Sequence, residues 1–279
     1  MQVLWSQRVE GDAFRRLVIE SDRALVSTGK QTLVVSRGGD VLDRHEPPLL
    51  GRNDDRSPTL IREKRYELAE GCLVELDAEG SQSLRAEIPI EQFERHRERF
   101  VRGFAEWTPE AAVWTEYRIG KWWRGAGLLA DRARGRLLAY GGNTPWLAAI
   151  RTDGGVEWVL LIGSVTDCCN GVDVVAGNGT LAHFSSCGRR ITFVTADGQI
   201  VSAHDIEGCS GHLMTNGRGV AYVTLIGEGI AAYQPMVGLT RLLEIPRLQQ
   251  AQVKEGILYA VVDDPAEGSF LLEAIQEPT

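Results

Sequence analysis

The stretch RRITFVTADGQIVSAHDI, Arg189 to Ile206, sets two alternating apolar runs on either side of Ala-Asp-Gly. A period of two places every second side chain on one face of a strand. An Asp-Gly pair between two such runs signals a tight turn, so the stretch predicts a β-hairpin. The shape recurs as TLVVSRGGDVLDR at Thr32–Arg44, CLVELDAEGSQSLRAEI at Cys72–Ile88, WLAAIRTDGGVEWVLLI at Trp146–Ile162 and IAAYQPMVGLTRLLEI at Ile230–Ile245. Its turn glycines are Gly39, Gly80, Gly154, Gly198 and Gly238, separated by 41, 74, 44 and 40 residues. The hairpin candidate AVWTEYRIGKWW, with its turn at Gly120, divides the long interval into 40 and 34.

A short strand ending in small residues precedes most of these hairpins: RGRLLAYGG at Arg134–Gly142, GTLAHFSS at Gly179–Ser186 and RGVAYVTL at Arg218–Leu225. GILYAVVD at Gly256–Asp263 has the same form before the last strand. With one more strand upstream of each, the unit has about four strands and repeats near every 40 residues, the pattern of a β-propeller. The final strand SFLLEAI lacks the outer strand that every other unit has, and the chain opens with an orphan strand, QVLWSQRV. The expectation is therefore an all-β propeller of seven or six four-stranded blades over residues 1–279, with the N-terminal strand completing the last blade. Glu91–Glu106 interrupts the pattern, because Phe93, Phe100, Val101 and Phe104 stand at helical spacing. Residues 90–124 therefore read either as a blade or as a helical or irregular insertion.

Bulk composition agrees. The 279 residues include 31 glycines, roughly one in nine, which suits many tight turns that need positive φ. A net charge of −8 argues against nucleic acid as the main partner, since phosphate binding draws on clustered Lys and Arg. The N-terminus does not read as a targeting signal, and no run approaches a membrane span. Five cysteines without framework spacing suggest reduced thiols in a soluble cytoplasmic protein.

At the residue level AHFSSCGRRITFVTADGQIVSAHDI resembles a WD-repeat blade, with a Ser-x-x-Gly turn, a strand, an Asp-Gly turn and an outer strand. Gly211-His212 is similar to the Gly-His pair that opens many such blades, although the closing Trp-Asp is absent and Ala203-His204-Asp205 stands nearest. The outer strands carrying Trp5 and Trp158 look more like quinoprotein-dehydrogenase repeats. The resemblance implies an architecture and no particular activity.

Chemistry-bearing residues concentrate in two places. Cys168, Cys169, Cys187, Cys209 and three histidines fall within Asp167–His212. In the propeller reading Cys169 and Cys209 lie one repeat apart, and Cys168, Cys169, Cys187, Cys209 and His212 come to loops on one face. A soft-metal site, or an enzyme site using Asp167, Cys169, Cys209 and His212, is the functional reading. Against it, no Cys-x-x-Cys or His-x-x-x-His pair occurs, and small thiols suit tight buried loops. Adjacent Cys168-Cys169 resembles the vicinal pair of quinoprotein alcohol dehydrogenases, but no calcium-ligand set accompanies it, and no cofactor is expected. The second place is an aromatic cluster of Trp107, Trp114, Trp122 and Trp123 with Arg118 and Arg124, either a partner, carbohydrate or nucleic-acid surface or the packing of an irregular blade. No Gly-x-Ser-x-Gly, P-loop, dinucleotide fingerprint or His-Glu-x-x-His is present. The expected function is a non-catalytic scaffold for protein–protein interaction, a subunit of a larger assembly. The alternatives are a propeller hydrolase or lyase and a binding module built on the Trp-rich segment.

Overall fold

The computed structural model describes residues 2–46, 48, 59–61, 64–69, 72–77, 79–87, 127–140, 146–162, 170–185, 189–208, 210–265 and 268–276. The regular elements among them are strands. In chain order they begin with β1 (Val3–Glu10), β2 (Phe14–Ile19), β3 (Arg23–Thr28), β4 (Thr32–Ser36) and β5 (Val41–His45). Next come β6 (Thr59–Ile61), β7 (Lys64–Ala69), β8 (Cys72–Leu76) and β9 (Gln82–Glu87). Then follow β10 (Gly127–Asp131), β11 (Arg136–Tyr140), β12 (Trp146–Arg151) and β13 (Val156–Leu161). They continue as β14 (Asn170–Val174), β15 (Leu181–Ser185), β16 (Arg190–Val194) and β17 (Ile200–Asp205). The last are β18 (Ser210–Thr215), β19 (Ala221–Leu225), β20 (Gly229–Gln234), β21 (Gly238–Glu244), β22 (Leu248–Lys254), β23 (Ile257–Asp263) and β24 (Ser269–Gln276).

These strands form four-stranded antiparallel sheets within two compact units. Unit 1, Met1–Ser57 with Glu207–Thr279, holds the sheets β2-β3-β4-β5, β18-β19-β20-β21 and β1-β24-β23-β22. Unit 2, Pro58–Ile206, holds β6-β7-β8-β9, β10-β11-β12-β13 and β14-β15-β16-β17. Six four-stranded sheets thus stand among the described residues. The Gly120 hairpin and the 90–124 segment lie outside them.

Burial explains the sequence pattern. Central strands such as β15 and β19 are buried on both faces, so they read as continuous runs of apolar and small residues. Outermost strands such as β5 are exposed and admit charge. Alternate side chains of one strand serve opposite neighbours: in unit 2, Leu137 and Ala139 pack with Tyr66 and Leu73, while Leu138 packs with Val172 and Leu181.

All five turn glycines between third and fourth strands have φ between +80° and +93°. At Gly198, the amide donates to Thr195 O (3.1 Å) and Thr195 N donates to Gln199 O (2.8 Å), a three-residue loop closed by a glycine bulge. The bulge re-registers the fourth strand, with a shift between Phe193 and Val194 here and between Val34 and Val35 in β4–β5.

Two of these glycines also receive a tryptophan from another sheet of their own unit. Trp5 Nε1 donates to Arg37 O (2.8 Å), and Trp158 Nε1 donates to Ala196 O (2.9 Å). A methyl group on Gly39 would sit 2.7 Å from the Trp5 indole, and one on Gly198 2.6 Å from Trp158. Glycine is required at both, for the positive φ and for the close approach.

The N-terminal strand completes the last sheet as expected: β1 pairs antiparallel with β24, from Val3↔Ile275 to Glu10↔Ser269. Val9 enters a core with Phe270, Leu272 and Leu17. Arg8 pairs with Asp264 at 2.7 Å, and Gln276 N donates to Gln2 O at 3.0 Å. Without β1, the ladder edge of β24 would be open.

Candidate functional site

Of the residues singled out from the sequence, only His212 falls among those the structure describes. Trp107, Trp114, Trp122, Trp123, Arg118 and Arg124, and likewise Asp167, Cys168, Cys169, Cys187 and Cys209, lie outside them. His212 was expected in a connecting loop. It stands instead as the third residue of β18, exposed. The reason is local: Ser210 pairs with Leu225 and Leu213 with Val223, so Gly211 and His212 together oppose Thr224 as a bulge. Among the described residues, no group of three His, Cys, Asp or Glu side chains could hold a metal ion.

The titratable groups buried in unit 2 are engaged internally or surrounded by apolar residues. Arg136 Nε donates to Asp131 (2.9 Å), Nη1 to Glu157 (2.6 Å) and Nη2 to Ala196 O (2.6 Å), with its guanidinium over the Trp158 ring. Tyr66 donates to Glu75 (3.0 Å), and burial followed by that bond pushes its phenol up to about 12. The Lys64 ammonium, with Tyr66 and Ser83, holds the Glu75 carboxyl below its ordinary range. Burial pushes the His183 imidazole down to about 4, and its Nε2 has no hydrogen-bond partner. These groups read as structural.

The exposed apolar surface is elsewhere, on β20–β21 in unit 1. The turn after β20 reads Gln234-Pro235-Met236-Val237-Gly238, and Val237 N donates to Gln234 O at 3.3 Å. Pro235 presets φ at the first corner and Met236 takes φ +66° at the second, the arrangement of a type II turn, where glycine is usual. Met236 and Val237 are 73% and 66% exposed. Leu239 pairs with Tyr233 and Leu242 with Ala231, two residues apart on β20, because the bulge absorbs Thr240. Leu239 and Leu242 therefore share one face, 56% and 50% exposed. They lie on the outermost strand of their sheet.

Other outermost strands also mix charged with exposed apolar residues, such as Leu42 on β5 and Ile200 on β17. β5 carries Asp43, Arg44 and His45, and β17 carries His204 and Asp205. Charge on an edge discourages pairing with a further strand. β21 carries Arg241 and Glu244 as well, but adds two exposed leucines on one face beside the exposed turn residues Met236 and Val237, and exposed apolar surface grouped in this way marks interaction sites. The sequence held a signal for it, the apolar tip Pro-Met-Val where hairpin turns are ordinarily polar.

Among the described residues, no helix is long and apolar enough to cross a membrane. No protein-family model matches the chain, and no curated protein matches it. Solved structures do. A streptogramin B lyase is similar over 98% of this chain and 97% of its own, at 10% identity and a TM-score of 0.59. The Cps50 (Swd1) β-propeller domain of Myceliophteria thermophila is similar over 99% of both chains, at 11% identity and 0.57. Virginiamycin B lyase from Staphylococcus aureus is similar over 97% of this chain and 99% of its own, at 9% identity and 0.52. At such identities the likeness carries the fold alone, and the fold is that of the β-propeller proteins.

Proposed function

We propose that the chain is a non-catalytic, cytoplasmic scaffold that binds a protein partner through β21 and the turn before it. The observation that supports this reading is the exposed set Met236, Val237, Leu239 and Leu242 at a sheet edge that pairs with no further strand among the described residues. The fold alone does not choose, since the similar structures include lyases as well as Swd1. The occupant that suits an edge with leucines on one face is an extended partner segment. Its main chain would continue the ladder and its apolar side chains would cover Leu239 and Leu242.

The test compares the wild-type chain with Leu239→Glu. Each is tagged and used to isolate its complex from the native host, while the free chains are sized by gel filtration. A partner held by wild type and lost from the variant, at a cost of about 2 kcal/mol or more, supports the reading. Equal retention overturns it. Concentration-dependent self-association that Leu239→Glu abolishes also overturns it, by making a second copy the occupant.

A further inference from the structure

The sequence holds three Asn-Gly pairs, Asn170-Gly171, Asn178-Gly179 and Asn216-Gly217. A glycine after asparagine has no side chain to shield its amide nitrogen, which can then approach the side-chain carbonyl carbon of the asparagine. Two of the pairs occupy the same place in their sheets. Asn178-Gly179 lies in the turn from β14 to β15 in unit 2, and Asn216-Gly217 in the turn from β18 to β19 in unit 1. Asn170 and Gly171 stand within β14 instead, where pairing with Ser185 and Phe184 fixes their main chain in extended form.

The two turns prepare the asparagine alike and the glycine differently. Arg218 N (2.9 Å) and Val220 N (3.3 Å) donate to Asn216 Oδ1. Thr180 N (3.1 Å) and Thr180 Oγ1 (2.9 Å) donate to Asn178 Oδ1. A bond from Oδ1 to the amide two residues on closes a ring that keeps Cγ near the nitrogen between them. Donors so placed also stabilise the oxygen as it gains charge. In unit 2 that nitrogen is occupied, because Gly179 N donates to Ala176 O (2.9 Å). Gly179 is buried, Arg134 Nη2 donates to Asn178 O, and the Arg134 guanidinium stands where a Cβ on Gly179 would point. In unit 1 the glycine is accessible. Gly217 is exposed, open space lies where its Cβ would stand, and its N–H donates to no group among the described residues.

We infer that Asn216 is a modification site, the asparagine that the folded chain converts to aspartate and isoaspartate. Hydroxide takes the proton from Gly217 N, and the nitrogen lone pair forms a bond to Asn216 Cγ. The Cγ–Nδ2 bond then breaks, and Nδ2 takes a proton from water and leaves as ammonia, which restores the hydroxide. Water opens the resulting five-membered imide. Cleavage of its bond from nitrogen to Cγ gives aspartate. Cleavage of the bond from nitrogen to the main-chain carbonyl carbon gives isoaspartate, in which the main chain runs through the former side chain. Either product puts a carboxylate where a neutral amide stood. Isoaspartate also lengthens the main chain of a turn that closes on the pair Thr215↔Ala221. The inference does not depend on the partner surface of β21.

The full-length protein is incubated at mildly alkaline pH, folded in one arm and in denaturant in a second. Peptide mass spectrometry follows the gain of about 1 Da at each asparagine, and labelling by an isoaspartyl methyltransferase identifies isoaspartate in the Asn216 peptide. In the folded chain Asn216 is expected to react about tenfold faster than Asn178 and Asn170, and in denaturant the three rates should converge to within about threefold. That convergence assigns the difference to the turns rather than to the neighbouring sequence. Asn178 reacting as fast as Asn216 in the folded chain overturns the inference, and so does an Asn216 that reacts only in denaturant.

Discussion

The two units repeat the same four-stranded sheet and both bury polar side chains, yet among the described residues they differ in where charge goes. Unit 2 buries the Arg136–Asp131 ion pair and the His183 imidazole, whereas the buried polar residues of unit 1, Ser27, Thr28, Gln31, Thr32 and Thr224, are uncharged. The inner strands of unit 2 start in regular register. Unit 1 starts β2, β18 and β22 with bulges, and it exposes leucines on an outer strand. A four-stranded sheet fixes which residues alternate and leaves free what lies at its ends and edges. In unit 2 that freedom holds a buried ion pair, and in unit 1 it leaves leucines exposed on an outer strand.

The largest expected break in this comparison is removal of residues 1–10. The deletion takes Val9 and Trp5 from the unit 1 core and opens the edge of β24. The truncated chain should aggregate or lose its cooperative melt, whereas a truncation as soluble and stable as the whole would refute the role given to β1. Next comes Arg136→Met in unit 2. It leaves the buried Asp131 with only Arg134, at 3.8 Å, in place of its 2.9 Å partner, so a loss of about 3 kcal/mol is expected in denaturant unfolding. A loss below about 1 kcal/mol would remove the contrast between the units.

Acid sharpens it further. His183 titrates near 6.5 when unfolded and at about 4 when folded, so the unfolded chain binds the proton first. Stability is fully present above pH 6.5, falls as pH drops from 6.5 towards 4, and is lowered by about 3 kcal/mol below that. His183→Leu should flatten this window, and hydrogen exchange should show the acid-induced opening in unit 2 first. The smallest expected effect tests what the units share. Trp5→Phe and Trp158→Phe each remove an indole N–H from a turn carbonyl, so each should cost about 1 kcal/mol in thermal melting, and by similar amounts.

Much of the architecture was legible because it is local. A turn glycine every 40 or so residues reports a positive φ that few other residues accept, and the five positions predicted from sequence all have one. Pairing of the N-terminal strand was legible because the last unit lacked an outer strand. The bulges of β2, β18 and β22 were not, since a register shift depends on a partner strand and leaves the alternation of Phe14–Ile19 unremarkable. For the same reason His212 read as a loop residue. Exposure of Leu239 and Leu242 was hidden too: an apolar outer strand looks the same whether another sheet covers it or not. Burial of His183 has no local signal either, because its neighbours Ala182 and Phe184 are ordinary central-strand residues.

The proposed partner surface lies on unit 1. The direct measurement is hydrogen–deuterium exchange on the chain alone and in the complex isolated from its native host. The predicted result is slowed exchange across Gly229–Glu244, with the strands from β10 to β17 unchanged. Slowing confined to β6–β17, with Gly229–Glu244 exchanging as in the free chain, would contradict it.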